Sequence, residues 1–242
     1  MFGHLFIQEL QSDPPFFFAT IITVVISVTL HELAHGVAAI KLGDDTPIYT
    51  GHMTLNPLVH MGGISLILLA VAGIAFGAMP VDRTRMRGKY ADAIVAVAGP
   101  LTNILLSLLA LTGLALWERF SHLPYAQWSP AMANGKYLLL VFGYTNLLLA
   151  MFNLLPLPPL DGFWIASNLI PSYRRLLSND TARGVMTALF FAVFIGAGTL
   201  LNKVASPATF NYLKVVSGRS ELHFDIIAAR KTVEWNAEDG GD

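Results

Sequence analysis

Phe16 to Ala39 read FFFATIITVVISVTLHELAHGVAA, an apolar run whose only ionisable side chains are His31, Glu32 and His35. About 20 such residues cross a bilayer as a helix. Ionisable groups at membrane depth are costly enough to mark a functional site by default. His31 and His35 are four apart, so on a helix both rings project to one side and can hold a single metal ion. Glu32 follows the first ring, where its carboxylate can take a proton from a metal-bound water. From the chain's own His and Glu frequencies, HExxH is expected by chance roughly 0.005 times, so the string points to metal-dependent hydrolysis. A structural metal or a helix-packing role is the plainer alternative.

Of the 242 residues, 54% are hydrophobic and 13% charged, against about 25% charged in soluble domains. This composition predicts an all-α polytopic membrane protein: an integral domain over 1–217 and a polar tail over 218–242. Fifteen basic against sixteen acidic residues give no sign of nucleic-acid binding. The absence of cysteine excludes disulfides and thiolate metal ligands. No cleavable signal peptide is expected, because residues 1–15 lack a basic n-region.

Outward from the HELAH stretch, a short interfacial helix is expected in 1–12 and spans at about 16–41, 91–117, 136–158 and 185–202, with 203–217 ambiguous. Asp44 and Asp45 read as the solvated end of the first span. Trp117, Tyr125 and Trp128 read as interfacial anchors of the loop over 118–135. Residues 46–61 mix β-branched and turn residues. Residues 62–79 are apolar but hold four glycines, weak for a helix interior. The expected architecture is a bundle of about five to six membrane segments, including a re-entrant β-like segment at 46–79. Re-entry would place Lys41, Arg83, Arg85, Arg87, Lys89, Arg174, Arg175 and Arg183 on one side, cytoplasmic by the positive-inside rule. Only Arg119 and Lys136 would lie in the short loop opposite. A full crossing also segregates charge. Re-entry is preferred because it brings both candidate ligand segments to one end of the bundle, and it requires a protein-lined cavity.

A hydrolytic zinc site needs three protein ligands and an open position. Asp161 stands out, since it follows the proline-broken end of a span at Pro156, Pro158 and Pro159. A turn or capping aspartate before Gly162 is the competing reading. The stretch NLLPLPPLDG over 153–162 resembles the NxxPxPxLDG motif of the site-2 protease family of intramembrane zinc metalloproteases. HELAH (31–35), GHMTLNPLVH (51–60) and AGPLTN (98–103) resemble that family's motifs in the same order. The resemblance covers roughly 16–170. It implies one zinc per chain on His31, His35 and Asp161, with Glu32 as catalytic base. It also implies that Asn153 holds substrate backbone and that the active site opens toward the cytoplasm. The chain departs from the family where Gly62-Gly63 replaces an Asp-Pro pair and His52 replaces an arginine.

The expected reaction is hydrolysis of a peptide bond in or near a transmembrane segment of a membrane-protein substrate, in the plasma membrane. The nucleophile would be the zinc-bound water. The substrate must unwind first, because a helix hides its carbonyls in hydrogen bonds. Asn103 is expected to bond across helices, and His52 and His60 to be supporting or loop residues rather than metal ligands. The alternative from another class is a non-proteolytic protein that binds transmembrane helices. The intact Glu32 argues against it.

Overall fold

The computed structural model describes residues 5–121, 123–124, 127–176 and 180–219, and among them it contains helices and no strand. A 3-10 turn (Phe6–Gln8) and α1 (Glu9–Ser12) precede α2 (Pro14–Lys41). Asp13 caps α2 by accepting from Phe16 N–H at 2.9 Å, with prolines at the first two helical positions, where no N–H is needed. After α3 (Thr46–Tyr49) and α4 (Pro57–Ala72) come α5 (Ala91–Ser121), α6 (Pro130–Asn153), α7 (Asp161–Leu169), α8 (Pro171–Leu176) and α9 (Asp180–Ser217). Of the five to six membrane segments expected, α2, α5 and α6 are long and apolar enough to cross a bilayer. A fourth joins them if α9, bent by 57° between Phe194 and Gly198, is one span. Residues 203–217, ambiguous in the sequence, continue α9. The polar tail expected over 218–242 lies almost entirely outside the described residues.

Side-chain pairs fix the helix directions. His31 meets Asn103 and His35 meets Val95, so α2 and α5 are antiparallel. Asn103 meets Asn146 and Glu118 meets Lys136, so α5 and α6 are antiparallel as well. Hence α2 and α6 run the same way, and the excursion over 42–90 leaves and returns at one end of the bundle.

The β-like segment expected at 46–79 is instead helical over Thr46–Tyr49 and Pro57–Ala72. Two of its glycines mark where the chain departs from helical geometry. Gly62 (φ 68°, ψ 164°) makes the kink, and Gly73 (φ 71°) makes the left-handed C-cap, donating to Leu69 O. Asn56 caps the start, accepting from Leu58 N–H at 3.0 Å. At 16 residues, α4 spans about 24 Å, short of the ~30 Å hydrocarbon core. Residues 74–79 then run back along it. Ser65 Oγ donates to Phe76 O and accepts Phe76 N–H, and Ala78 N–H donates to His60 O at 2.9 Å.

Two charges expected in solvent are buried. Asp44 is fully buried. Its Oδ1 accepts from the Thr46 N–H and hydroxyl, and its Oδ2 from Asp82 N–H at 2.7 Å, which staples the two ends of the excursion. Burial alone would raise the Asp44 pKa, but the three donors hold the carboxyl below its ordinary value. At the far end Lys136, expected in a loop, is a buried residue of α6 paired with Glu118, which also accepts from Arg219. Its ammonium lies 3.5 Å from the ring centre of Trp128, which is buried in the core of Leu111, Leu114 and Leu213 rather than anchored at an interface. A helix over 130–153 keeps position 136 inside the bundle, where only pairing makes its charge tolerable.

Glu118→Gln is expected to destabilise the protein by about 3–5 kcal/mol, because it leaves the Lys136 charge uncompensated. Glu118→Leu combined with Lys136→Met should recover most of that loss. Thermal unfolding in detergent measures both, and a neutral Glu118→Gln would contradict the burial argument.

Candidate metal centre

His31 and His35 lie one turn apart on α2, both buried, with ring centroids 4.7 Å apart. Each ring is oriented through Nδ1. His31 Nδ1–H donates to Asn103 Oδ1 at 2.6 Å, Asn103 Nδ2 donates to Asn146 Oδ1 at 2.9 Å, and Asn146 Nδ2 donates to Phe142 O. His35 Nδ1–H donates to Val95 O at 2.7 Å. With the protons on Nδ1, both Nε2 atoms present lone pairs, and they face each other at 3.0 Å. Two lone pairs that close repel unless a cation lies between them.

The third group comes from α7. Asp161 is its first residue, placed by the turn after Pro159, with oxygens 3.1 Å from His31 Nε2 and 3.3 Å from His35 Nε2. Its buried Oδ2 receives no hydrogen bond. Gly162 is needed next to it, because a Cβ there would fall 2.2 Å from Leu154 O. The ligand atoms of His31, His35 and Asp161 lie within 4.8 Å of one another. Two neutral imidazoles and one carboxylate, each short of a partner on the inner side, form a donor set that suits a divalent metal such as zinc. Asp161 is therefore brought together with both histidines in a group that could hold a metal.

Close backbone approach makes the site compact. A Cβ on Gly99 of α5 would lie 2.5 Å from both His31 Nε2 and His35 Nε2, and one on Gly77 would lie 2.6 Å from Glu32 Oε1. Glu32 is buried beside the cluster, against the extended 74–79 segment. The cluster, Glu32 and Asn153 line one cavity of about 560 Å³, walled largely by apolar groups such as Phe76, Phe152 and Phe190. Asn153 faces this cavity while its Nδ2 donates to Leu149 O in its own helix at 3.0 Å.

Neither His52 nor His60 reaches the cluster. His52 bonds to Thr50, and His60 Nε2–H donates to Thr54 O at 2.7 Å, both within the excursion. Asn103 bonds across helices as expected, and it also fixes the His31 tautomer. The sequence reading missed Gly77, Gly99 and the Val95 carbonyl. A small-residue AGP in an apolar run was the one available signal, since glycine there permits close backbone approach.

A family model described as peptidase family M50 matches residues 125–196, a stretch that holds Asn153 and Asp161. The chain is 37% identical to "Putative zinc metalloprotease YwhC" of Bacillus subtilis (strain 168) over 153 residues, 62% of this chain and 68% of the relative. It is 31% identical to "Putative zinc metalloprotease Rip2" of Mycolicibacterium smegmatis (strain ATCC 700084 / mc(2)155) over 162 residues, 64% and 58% of the respective chains. A Rip2 of Mycobacterium tuberculosis (strain ATCC 25618 / H37Rv) is 28% identical over 184 residues, 74% and 66%. The chain thus spans less than two thirds of the Rip2 relatives it matches. No solved structure matches. The chain belongs to peptidase family M50, the site-2 proteases. Zinc is the metal this membership indicates, and the three apolar helices are those of an integral membrane protein.

Gly99→Ala is expected to abolish stoichiometric zinc, since the new methyl occupies the space between the two Nε2 atoms. Gly77→Ala, whose methyl meets Glu32 instead, should keep it. Metal analysis of the two purified variants checks this, and equal zinc in both would refute the packing argument.

Proposed function

We propose that this protein is an intramembrane zinc endopeptidase, hydrolysing a peptide bond within or near a transmembrane segment of a membrane-protein substrate. The observation that carries the reading is the position of Glu32: a buried carboxylate beside the His31, His35 and Asp161 cluster, on the same cavity. A structural metal has no use for an unpaired base at its side.

The proposed ligands are the Nε2 atoms of His31 and His35 and the carboxylate of Asp161. Bound there, zinc supplies a Lewis acid that acidifies a water molecule and polarises a carbonyl. The chain's own residues do the rest. Glu32 takes the proton of the attacking water on its carboxylate and returns it to the leaving amine. Asn103 and Val95 O keep both imidazoles in the tautomer that leaves Nε2 free. Asn153, on the cavity wall, offers amide groups to the backbone of an unwound substrate. The apolar walls keep bulk water from the reaction, which strengthens every charge interaction inside.

The 42–90 excursion is proposed to enter the membrane and return. Support comes from the parallel course of α2 and α6, the short α4 and the return of 74–79 along it. Its exposed Ile64 and Ile67 suit lipid. With Lys41, Arg83, Arg85, Arg87 and Lys89 at the site end, the positive-inside rule puts that end in the cytoplasm, with the plasma membrane as the proposed location.

In Glu32→Gln, zinc content is expected to stay at about one per chain while cleavage of single-span substrates falls at least ~100-fold. Asp161→Ala should lose the metal. A Glu32→Gln protein that still cleaves would remove the base assignment. Bound zinc in wild type with no cleavage of any substrate would favour a helix-binding role. The natural absence of cysteine allows a topology test. Single cysteines at Asp45 and Lys89, both exposed, should react from the same face of sealed vesicles, and labelling from opposite faces would exclude re-entry.

A further inference from the structure

Asp161 opens a helix of nine residues, α7, which packs on α5 and α8. Among its residues only Gly162 is buried, whereas His31 and His35 belong to a 28-residue helix with twelve buried residues. Polar ties outside the core add to that packing in setting the rotation of α7. Trp164 stands on it three residues after Asp161 and so on nearly the same face. The guanidinium of Arg83 lies over the Trp164 ring, 3.3 Å from its centroid. Arg83 Nη1 in turn pairs with Asp92 Oδ1 at 3.1 Å. Asp92 sits in the first turn of α5, three residues before Val95, whose carbonyl orients His35. The stack Asp92–Arg83–Trp164 thus begins and ends one helical turn from groups that touch or orient metal ligands. Asn168 Nδ2 adds a second tie from α7, to Lys89 O at 3.3 Å.

The sequence reading took Arg83 as one of several loop charges on the cytoplasmic side. It differs from them, because it lines the metal cavity and is half-buried, while Arg85 pairs with Asp82 in the loop. A planar guanidinium can stack on an indole and donate sideways to a carboxylate at once, which a lysine ammonium cannot do.

We propose that Arg83 is a positioning residue for the metal site: by bridging Asp92 and Trp164 it fixes α7 so that Asp161 meets the two histidines. This rests on Asp161 being the third ligand. The test is the zinc dissociation constant of the full-length protein in detergent, measured by competition with a fluorescent chelator. R83Q and W164L break the stack from either side, W164F keeps an aromatic face, and R85A serves as a control. R83Q and W164L are expected to weaken zinc binding about 10- to 100-fold. W164F should stay within about fivefold of wild type, and R85A should match it. The metal-free forms of all four should unfold at the wild-type temperature, which separates positioning from general packing. The proposal is overturned if folded R83Q or W164L binds zinc as tightly as wild type. It is overturned equally if their metal-free forms unfold early. If R83Q fails to fold, W164L against W164F decides alone. Asp161→Ala, measured alongside, keeps the two readings apart. Wild-type affinity in that variant would remove the ligand assignment itself, whatever Arg83 does.

Discussion

Two imidazoles and two carboxylates inside an apolar helical bundle set the terms for everything around them. Each buried polar atom needs a partner, because the bilayer offers none. His31 Nδ1–H donates to Asn103, Asn103 donates to Asn146 and Asn146 donates to the Phe142 carbonyl, so that one hydrogen-bonded line crosses α2, α5 and α6. That line demands close helices, and the small residues supply them. Gly99 admits the imidazoles against α5, and Gly143 admits the Leu111 side chain against α6. Satisfying the outer nitrogens leaves the inner ones unsatisfied together, and the metal site is the sum of those remainders.

The same accounting explains the excursion between α2 and α5. Glu32 must be near the metal yet shielded from lipid, and a bare helix face would leave it exposed. Residues 74–79 cover it, with Gly77 against the carboxylate and Met79 against Gly36. The cover is held at both ends. Ser65 clamps Phe76 from inside, and Asp44 clamps Asp82 at the mouth. At the opposite end, the pair of Lys136 with Glu118 under Trp128 closes the bundle with a polar contact of its own.

The histidine pair on α2 was legible because HExxH is a local pattern: four residues on a helix return a side chain to the same face. Asp161 was legible only in combination, as a carboxylate after a proline-broken span, since its partners lie about 130 residues away in sequence. Asp44 and Lys136 were misread as solvated, because charge near a span end looks the same whether or not a distant group comes to meet it. The glycine content of 62–79 suggested irregular structure. Composition does not reveal that Gly62 and Gly73 mark a kink and a cap of a true helix. Arg83 was invisible as a special residue for a similar reason, since only tertiary contact separates it from Arg85.

The three residues of the candidate site are held by different contacts. His31 and His35 are set by a long packed helix and by hydrogen bonds to a neighbouring one. Asp161 opens a short helix whose Trp164 lines the same cavity. The long HExxH helix carries Glu32 and the two histidines, and the short α7 carries the carboxylate that completes the group.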